Sequence, residues 1–498
     1  MKGFSAGKAA LICGVLLFSA AVEAKKDRSR YTPVLSDKLG DLELTAQLLF
    51  GLRAEGVKSF SLDSSGRMPS GEIGTDLHLR LGVIADWRPL SGLALLGEYE
   101  QDVISSAFSG ERDIEGLGMP YSREMAHAVR KASLRASIGD YVHLSGGLTT
   151  SHWGLGLVAN DGSYGWAPGN ALFSDPRGGD RVLRLMLASG PHTPLNIVGS
   201  VAFDWVREDD LLPMDDAKQI IAAIRVGVEQ PFGADATFMH RFGGGDDEIN
   251  LNVMDFNLWA GFTLDRHMQI NVEGELAIIS GTRTLQGFPA SSEQTVTQLA
   301  GALRAGFHLR QMGIVVDFLY TSGDDNFSDD TQNDFKADPN YQISILLHRH
   351  VMAAQTGRGA ARAADPNLLA DPFGDVGEVP TRGSISNTIA IFPRAYYRLI
   401  GFEFYGGPLF AFAEVDNADP LNTRLNGGDA RNALGGDPGT YLGTEVDIGV
   451  RYREVFWGSE IVLGLEGGVL FPGSAFRQLD GELMGAVWGG RVLLQYRM

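Results

Sequence analysis

Thiols are all but missing from this 498-residue chain: its one cysteine, Cys13, sits in the apolar run Ala9 to Ala20 near the start. That run follows Lys2 and Lys8 and ends before Val22-Glu23-Ala24, the pattern of a secretory leader (1–24) cleaved ahead of Lys25. Ile12 stands where a small residue is expected before an acylated cysteine, which argues against a lipoprotein anchor. An exported chain with no mature cysteine has no disulfide help and must hold together by its own sheet or core. Long apolar runs are missing too. None reaches the roughly 20 residues of a spanning helix, so a helical membrane protein is excluded. Positive charge is in short supply, with 42 Lys and Arg against 61 Asp and Glu and a formal net charge of -19. That balance disfavours nucleic acid, whose phosphates call for a basic surface.

What the chain does have is alternation. Between Asp76 and Arg88, Leu77, Leu79, Leu81, Val83, Ala85 and Trp87 share one face, while Asp76, His78, Arg80, Asp86 and Arg88 share the other. Successive side chains on a strand point to opposite faces, so such a segment has one apolar wall and one wet wall. The split recurs. Ala132, Leu134, Ala136 and Ile138 oppose Lys131, Ser133, Arg135 and Ser137, and Leu299, Leu303, Phe307 and Leu309 oppose Gln298, Arg304, His308 and Arg310. Charges at mid-strand are costly inside a soluble sandwich and ordinary in a water-filled lumen.

Connections of two lengths separate these segments. Long polar ones fall near 57–74, 105–124, 153–179, 207–216, 243–247, 281–293, 321–384, 415–438 and 472–482, with tight turns between them near 88–91, 139–140, 190–193, 230–233, 265–266, 311–312, 400–401 and 454–458. Their strict alternation predicts an all-β fold: a transmembrane antiparallel up-and-down β-barrel of about eighteen strands, with long extracellular loops and short periplasmic turns. Residues 25–41 form a periplasmic lead-in and 42–498 the barrel, which sits in outer-membrane lipid. Trp87, Trp205 and Trp457 fall at strand ends, where the membrane interface favours the indole. The last strand carries Tyr496 near its end, a feature that barrel-assembly machinery reads.

The segment Tyr341 to Met352 breaks the rhythm. An extra strand there would make the count odd, so the 321–384 connection is predicted to fold its apolar block into the lumen as a helix or hairpin, since an exposed apolar patch needs cover. Ile343, Leu346, Leu347, His348, Arg349 and His350 then form a constriction loop with a basic cluster. Eight arginines lie on polar faces: Arg53, Arg80, Arg135, Arg184, Arg225, Arg304, Arg310 and Arg451. Lining a pore, they would offer forked guanidinium groups to anions. Alternatively they pair with Glu98, Glu100, Asp255, Glu273, Glu275, Asp317, Glu445 and Asp447, and because acids are at least as numerous, pairing is favoured.

Other motifs carry less. Ser151 and His152 are chain neighbours and point apart on a strand, so the histidine cannot readily take the serine proton. Gly154-Leu155-Gly156 lacks the third glycine and following helix of a dinucleotide site and reads as turn chemistry. The acidic run from Asp324 to Asp338 is dense enough for calcium but lacks the glycine turn and closing glutamate of a helix-loop-helix site, so a solvated loop is preferred. No cofactor and no metal site are implied.

Tyr320-Thr-Ser-Gly-Asp-Asp-Asn326, running on to Phe335 and Pro339, resembles the segment before the long loop of alginate-export-type barrels. Tyr441 to Asp447 and Gly467 to Gly473 are similar to their last strands. Ser151-His-Trp-Gly-Leu-Gly-Leu-Val-Ala-Asn160 resembles an uncharacterised outer-membrane family of deltaproteobacteria related to them. The resemblance implies an eighteen-strand barrel with an arginine-lined pore for anionic polymers. The expectation is a non-enzymatic porin-like channel for passive passage of hydrophilic, anionic or saccharide solutes. The alternatives are a structural or adhesive barrel with a plugged lumen and, last, a barrel enzyme.

Overall fold

The computed structural model describes residues 36–69, 74–105, 126–163, 165–208, 217–243, 248–285, 292–326, 329–365, 367–368 and 379–498. The leader and most of the lead-in lie outside them. Strands β1 to β6 are Leu42–Val57, Gly74–Leu90, Leu93–Ser105, Ala126–Ile138, Val142–Thr150 and Arg181–His192. Strands β7 to β12 are Ile197–Glu208, Lys218–Val226, Phe232–Gly243, Ile249–Asp265, Met268–Leu285 and Ser292–Leu309. Strands β13 to β18 are Met312–Thr321, Thr388–Leu399, Phe402–Phe412, Tyr441–Phe456, Ser459–Pro472 and Val487–Arg497.

Each of these strands pairs antiparallel with its chain neighbours, and β18 closes on β1 from Leu49 opposite Arg497 to Val57 opposite Gly489. The result is a closed barrel of eighteen strands, with nine long connections at one end and eight short turns at the other, as the sequence pattern predicts. Two short strands stand outside the ring. Ser36–Leu39 turns back to pair with Leu42 to Thr45. It covers the edge of β1 that extends past the end of β18, where Leu48 and Met498 exchange their last main-chain bonds. Thr331–Gln332 pairs parallel with Thr295 and Val296 of β12.

The two faces of the wall differ as alternation requires. Leu81, Val83, Leu134, Leu185, Ile224, Leu258, Ile314 and Leu465 stand exposed on the outside, while Asp76, His78, Arg80, Arg135, Asp255, Arg304 and Glu445 are buried inside. Trp87 and Trp457 are exposed at the short-turn end, and Trp205 and Trp488 at the loop end. A closed ring of paired strands, an apolar outer band and interfacial indoles is the form in which strands cross a bilayer. One sequence expectation needs correction, and one lumen residue was not foreseen. Arg310 does not line the lumen, because β12 stops at Leu309 and Arg310 is an exposed turn residue with φ +54°. Arg130, placed outward by strict alternation, is buried inside beside Lys131. A bulge opposite Glu100 and Gln101 gives β4 an extra residue there, and such bulges re-aim side chains.

The topology is testable by cysteine labelling. With Cys13 in the leader, Asp429→Cys in the exposed 413–440 connection should react with a membrane-impermeant maleimide on intact cells. Ser91→Cys in the β2–β3 turn should react only after the membrane is opened, and labelling there from outside would overturn the orientation.

Candidate functional site

The lumen contains two inserted loops, where the sequence pattern indicated one. The 322–387 connection folds inward as predicted: Tyr341, Ile343, Ile345, Leu346, Leu347 and Val351 are buried in one apolar cluster with Phe392, Tyr405, Leu409, Leu470 and Val487 of the wall. A π-helical turn, Leu347–Met352, runs into helix α1, Ala353–Ala363. The 151–180 connection, whose inward course is not visible in its composition, shares that cluster through Leu155, Leu157, Trp166 and Phe173. The 322–387 loop packs chiefly against β13 to β18, and the 151–180 loop spans from β14, β15 and β18 to β1, β4 and β11.

Burying irregular chain in a barrel raises the question of where its main-chain polar groups find partners. The wall supplies them. Glu445 accepts the amides of Ile345 at 3.0 Å, Leu346 at 2.7 Å and Leu347 at 2.8 Å. Glu275 accepts Gly156 at 2.9 Å and Leu157 at 3.1 Å, and Glu403 accepts Gly169 at 2.7 Å. In the opposite sense, Arg394 donates to the Ala171 carbonyl at 3.0 Å, Arg130 to Gly178 at 3.0 Å, and Arg491 to Phe173. The loops also hold each other, with Asp338 accepting Asn160 N–H at 3.0 Å and Asn340 accepting Arg177 N–H at 2.9 Å.

This gives the Ser151–Asn160 stretch a structural meaning. Ser151 Oγ accepts from Arg184 at 2.7 Å, whereas His152 faces Asp161 at 3.5 Å, so serine and histidine turn to different partners. Gly154 has φ +49°, and a Cβ there would lie 1.5 Å from Asn257 Oδ1. Only glycine fits, and the turn it makes delivers the Gly156 and Leu157 amides to Glu275.

Of the predicted pore arginines, four lie beneath the inserted loops and are paired there. Arg53 meets Asp76 at 2.6 Å and Asp175 at 3.2 Å, Arg80 meets Asp102 at 2.6 Å, Arg304 meets Asp317 at 2.8 Å, and Arg451 meets Glu466 at 2.5 Å. Burial alone would raise the Asp175 carboxyl, but Arg177 and Arg53 hold it well below the usual range. Arg184 takes Asp204 through two bonds of 2.7 Å, and Arg225 takes Asp235. These six are paired, but only Arg304 takes one of the expected carboxylates, Asp317, at this range; Glu275 and Glu445 accept loop amides instead. The basic cluster of the constriction loop does not face an open channel. Burial pushes the His348 imidazole down to about 3, where it meets Thr388 at 3.2 Å, and Arg349 is buried against Glu55 at 3.4 Å. His350 is buried as well.

Open space remains beside β3 to β12. An inner cavity of about 170 Å³ is lined by Glu98, Lys131, Arg135, Arg184, Arg225 and Asp235 with Ser133, Ser145, Ser200 and Thr237. An outer cavity of about 160 Å³ is lined by Asp180, Arg241, Arg283, Asp334 and Lys336 with Val182, Met239 and Val253. Ser151 and Trp153 border both. Arg135, Arg184 and Arg225 are thus the three predicted arginines that line the free lumen. Trp153 was not foreseen as a lumen residue; its place in a glycine-flanked motif just past a strand end was the available signal.

No family model matches the chain, and no curated protein does. Solved structures do. OpdQ of Pseudomonas aeruginosa aligns over 92% of this chain and 99% of its own with 11% identity and a TM-score of 0.52. OpdL of the same organism covers 91% and 98% with 10% identity and a TM-score of 0.52. OccAB1 of Acinetobacter baumannii covers 94% and 99% with 8% identity and a TM-score of 0.51. At such identities the likeness is one of fold.

Two outcomes follow for loop docking. Glu445→Ala leaves the buried amides of Leu346 and Leu347 without acceptors, at about 1–3 kcal/mol each, and Ile345 with Asp447 alone at 3.3 Å. Gly154→Ala displaces its turn. In both variants trypsin should cut after Arg349, Arg358 or Arg362 where it spares the parent, and equal resistance would refute the docking role. The second outcome concerns pH. His348 is neutral when docked and takes up a proton when released, so its contribution is full above its ordinary pKa of 6.5 and falls as pH is lowered toward 3. Trypsin sensitivity should rise between pH 7 and pH 4, and less steeply in His348→Gln. An identical slope in the two proteins would remove His348 from the account.

Proposed function

We propose that the chain is an outer-membrane channel through which hydrophilic solutes cross passively. The observation that carries this reading is the asymmetric filling of the barrel. The 322–387 loop is docked chiefly on β13 to β18 and the 151–180 loop reaches from there to β1, β4 and β11, while polar-lined cavities stand one above the other along β3 to β12, meeting at Ser151 and Trp153. A barrel built only as a rigid spanning body gains nothing from a water-compatible lumen on one side. The fold shared with the Occ and Opd porins supports the same conclusion.

The narrower version, passage of anionic oligo- or polysaccharides, draws on the lumen arginines and on the resemblance to alginate-export barrels. Against it, Lys131, Arg184 and Arg225 are each matched by Glu98, Asp204 or Asp235. What favours it is the outer cavity, where Arg241, Arg283 and Lys336 face Asp180 and Asp334. The plugged-barrel alternative draws on the docked loops themselves. Deleting Tyr341 to Ala354 separates the readings. In proteoliposomes the parent should admit small neutral solutes, and the deletion variant should admit larger ones and conduct several-fold more current. A parent that passes neither solute nor ions, beside a folded deletion variant that passes both, would establish the plugged barrel. Reversal potentials in a salt gradient then test anion preference: Arg241→Glu with Arg283→Glu should lower the anion-to-cation permeability ratio, and an unchanged ratio would reject the anionic version.

A further inference from the structure

The wall between the two cavities carries an unbroken row of apolar side chains. Cross-strand register places Met186 of β6 opposite Ala202 of β7, Ala202 opposite Ile221 of β8, and Ile221 opposite Met239 of β9. Met239 in turn stands opposite Val253 of β10, and Val253 opposite Ile279 of β11. These six residues point inward, and Trp153 of the inserted loop packs against them. The neighbouring row toward the loop end is different: Arg184, Asp204, Gln219 and Arg241 stand opposite one another in sequence. A second apolar level lies nearer the loop end, where Val182, Val206, Ala217 and Ile249 cluster, so the row from Met186 to Ile279 is set apart by the charged level beside it and by Trp153 packed on it.

We propose that Trp153 and this row form an apolar collar that sets what the channel passes, excluding hydrated inorganic ions and admitting solutes that can turn an apolar ring face to the indole, of which pyranose sugars are the hydrophilic class. The proposal rests on the channel reading and deepens it. The inner cavity reaches the collar through Met186, Ala202 and Ile221, and the outer one through Met239, Val253 and Ile279, with Trp153 common to both. A solute passing from one to the other along this wall must cross it. The collar offers no group to replace an ion's water, and narrow apolar constrictions of this kind close by dewetting. A pyranose loses little there. Its C–H face lies against indole and aliphatic carbon, while its hydroxyl edge meets Ser151 at the collar and Ser145, Ser200 and Thr237 just below. Those groups both donate and accept. Lys131 with Glu98, Arg184 with Asp204 and Arg225 with Asp235 are paired around them, so much of the cavity's charge is held in fixed pairs.

The test uses the purified full-length barrel in planar bilayers and proteoliposomes, with KCl and D-glucose as probes. Val253→Thr keeps the shape of its side chain and Ile221→Thr shortens its own by one methyl, and together they wet the collar from the wall. Trp153→Ala removes the ring from the loop side. Retained heat-modifiable gel migration shows that each variant is folded. The expected result is that the parent admits glucose while conducting KCl weakly, that the double threonine variant conducts KCl several-fold better at similar glucose influx, and that Trp153→Ala loses the preference for glucose over KCl. KCl conductance in the parent equal to that of both variants overturns the collar, as does a parent that conducts KCl and excludes glucose. If neither probe crosses in the parent or in either variant, the channel reading itself falls, and the collar with it.

Discussion

The interior of this barrel depends on carboxylates of the wall accepting main-chain amides of the chain folded within it. Glu445 takes three consecutive amides and Glu275 takes two. Each bond is made out of water, where hydrogen bonds are stronger. The arrangement answers a difficulty on both sides. An irregular loop cannot be buried with orphan amides, and a carboxylate cannot be buried without donors or a counter-charge. Arg130, Arg394 and Arg491 do the converse service for loop carbonyls. Once these contacts are made, the apolar side chains of 341–352 have wall surface to cover them. That is why a block of Ile, Leu and Val is stable inside a lumen lined by charge.

The barrel was legible because alternation and loop length are one-dimensional properties. Leu77 to Trp87 and their polar partners could be sorted by parity alone, and eighteen strands followed from counting connections. Even the inward course of 341–352 was visible, since its apolar block had no other cover. The contents of the lumen were less legible. The 151–180 loop carries no apolar block of comparable density; it enters because Gly154 and Gly156 set a turn whose amides meet Glu275, and that match is three-dimensional. Arg130 was missed because a bulge breaks parity for one residue. Arg310 was misplaced because its strand ends one position earlier. The collar was hidden for another reason. Met186, Ala202, Ile221, Met239 and Val253 come from five strands, and only register shows that they stand at one level.

Charge inside the barrel is organised in opposed pairs. Arg184 with Asp204, Arg225 with Asp235 and Arg304 with Asp317 each join neighbouring strands across the lumen face. Such pairs gain less than their Coulomb attraction suggests, because both partners leave water, but once formed they are rigid and leave little field. An inward arginine is therefore weak evidence for anion flow unless its carboxylate partner is absent. What distinguishes one level of this lumen from another is the change from paired charge to hydrocarbon, more than any change in sign.

The 151–180 loop has a consequence for how the molecule is made. Its far part meets the final strand: Arg491 donates to the Phe173 carbonyl, and Gln495 donates to Asp175 at 3.2 Å. More than three hundred residues separate these partners in sequence, and contacts of such range form late because the intervening chain must be ordered first. The loop cannot finish settling until β18 has been delivered to β1. Closure of the seam and filling of the lumen are thus one event, and a barrel still open at that seam is also hollow.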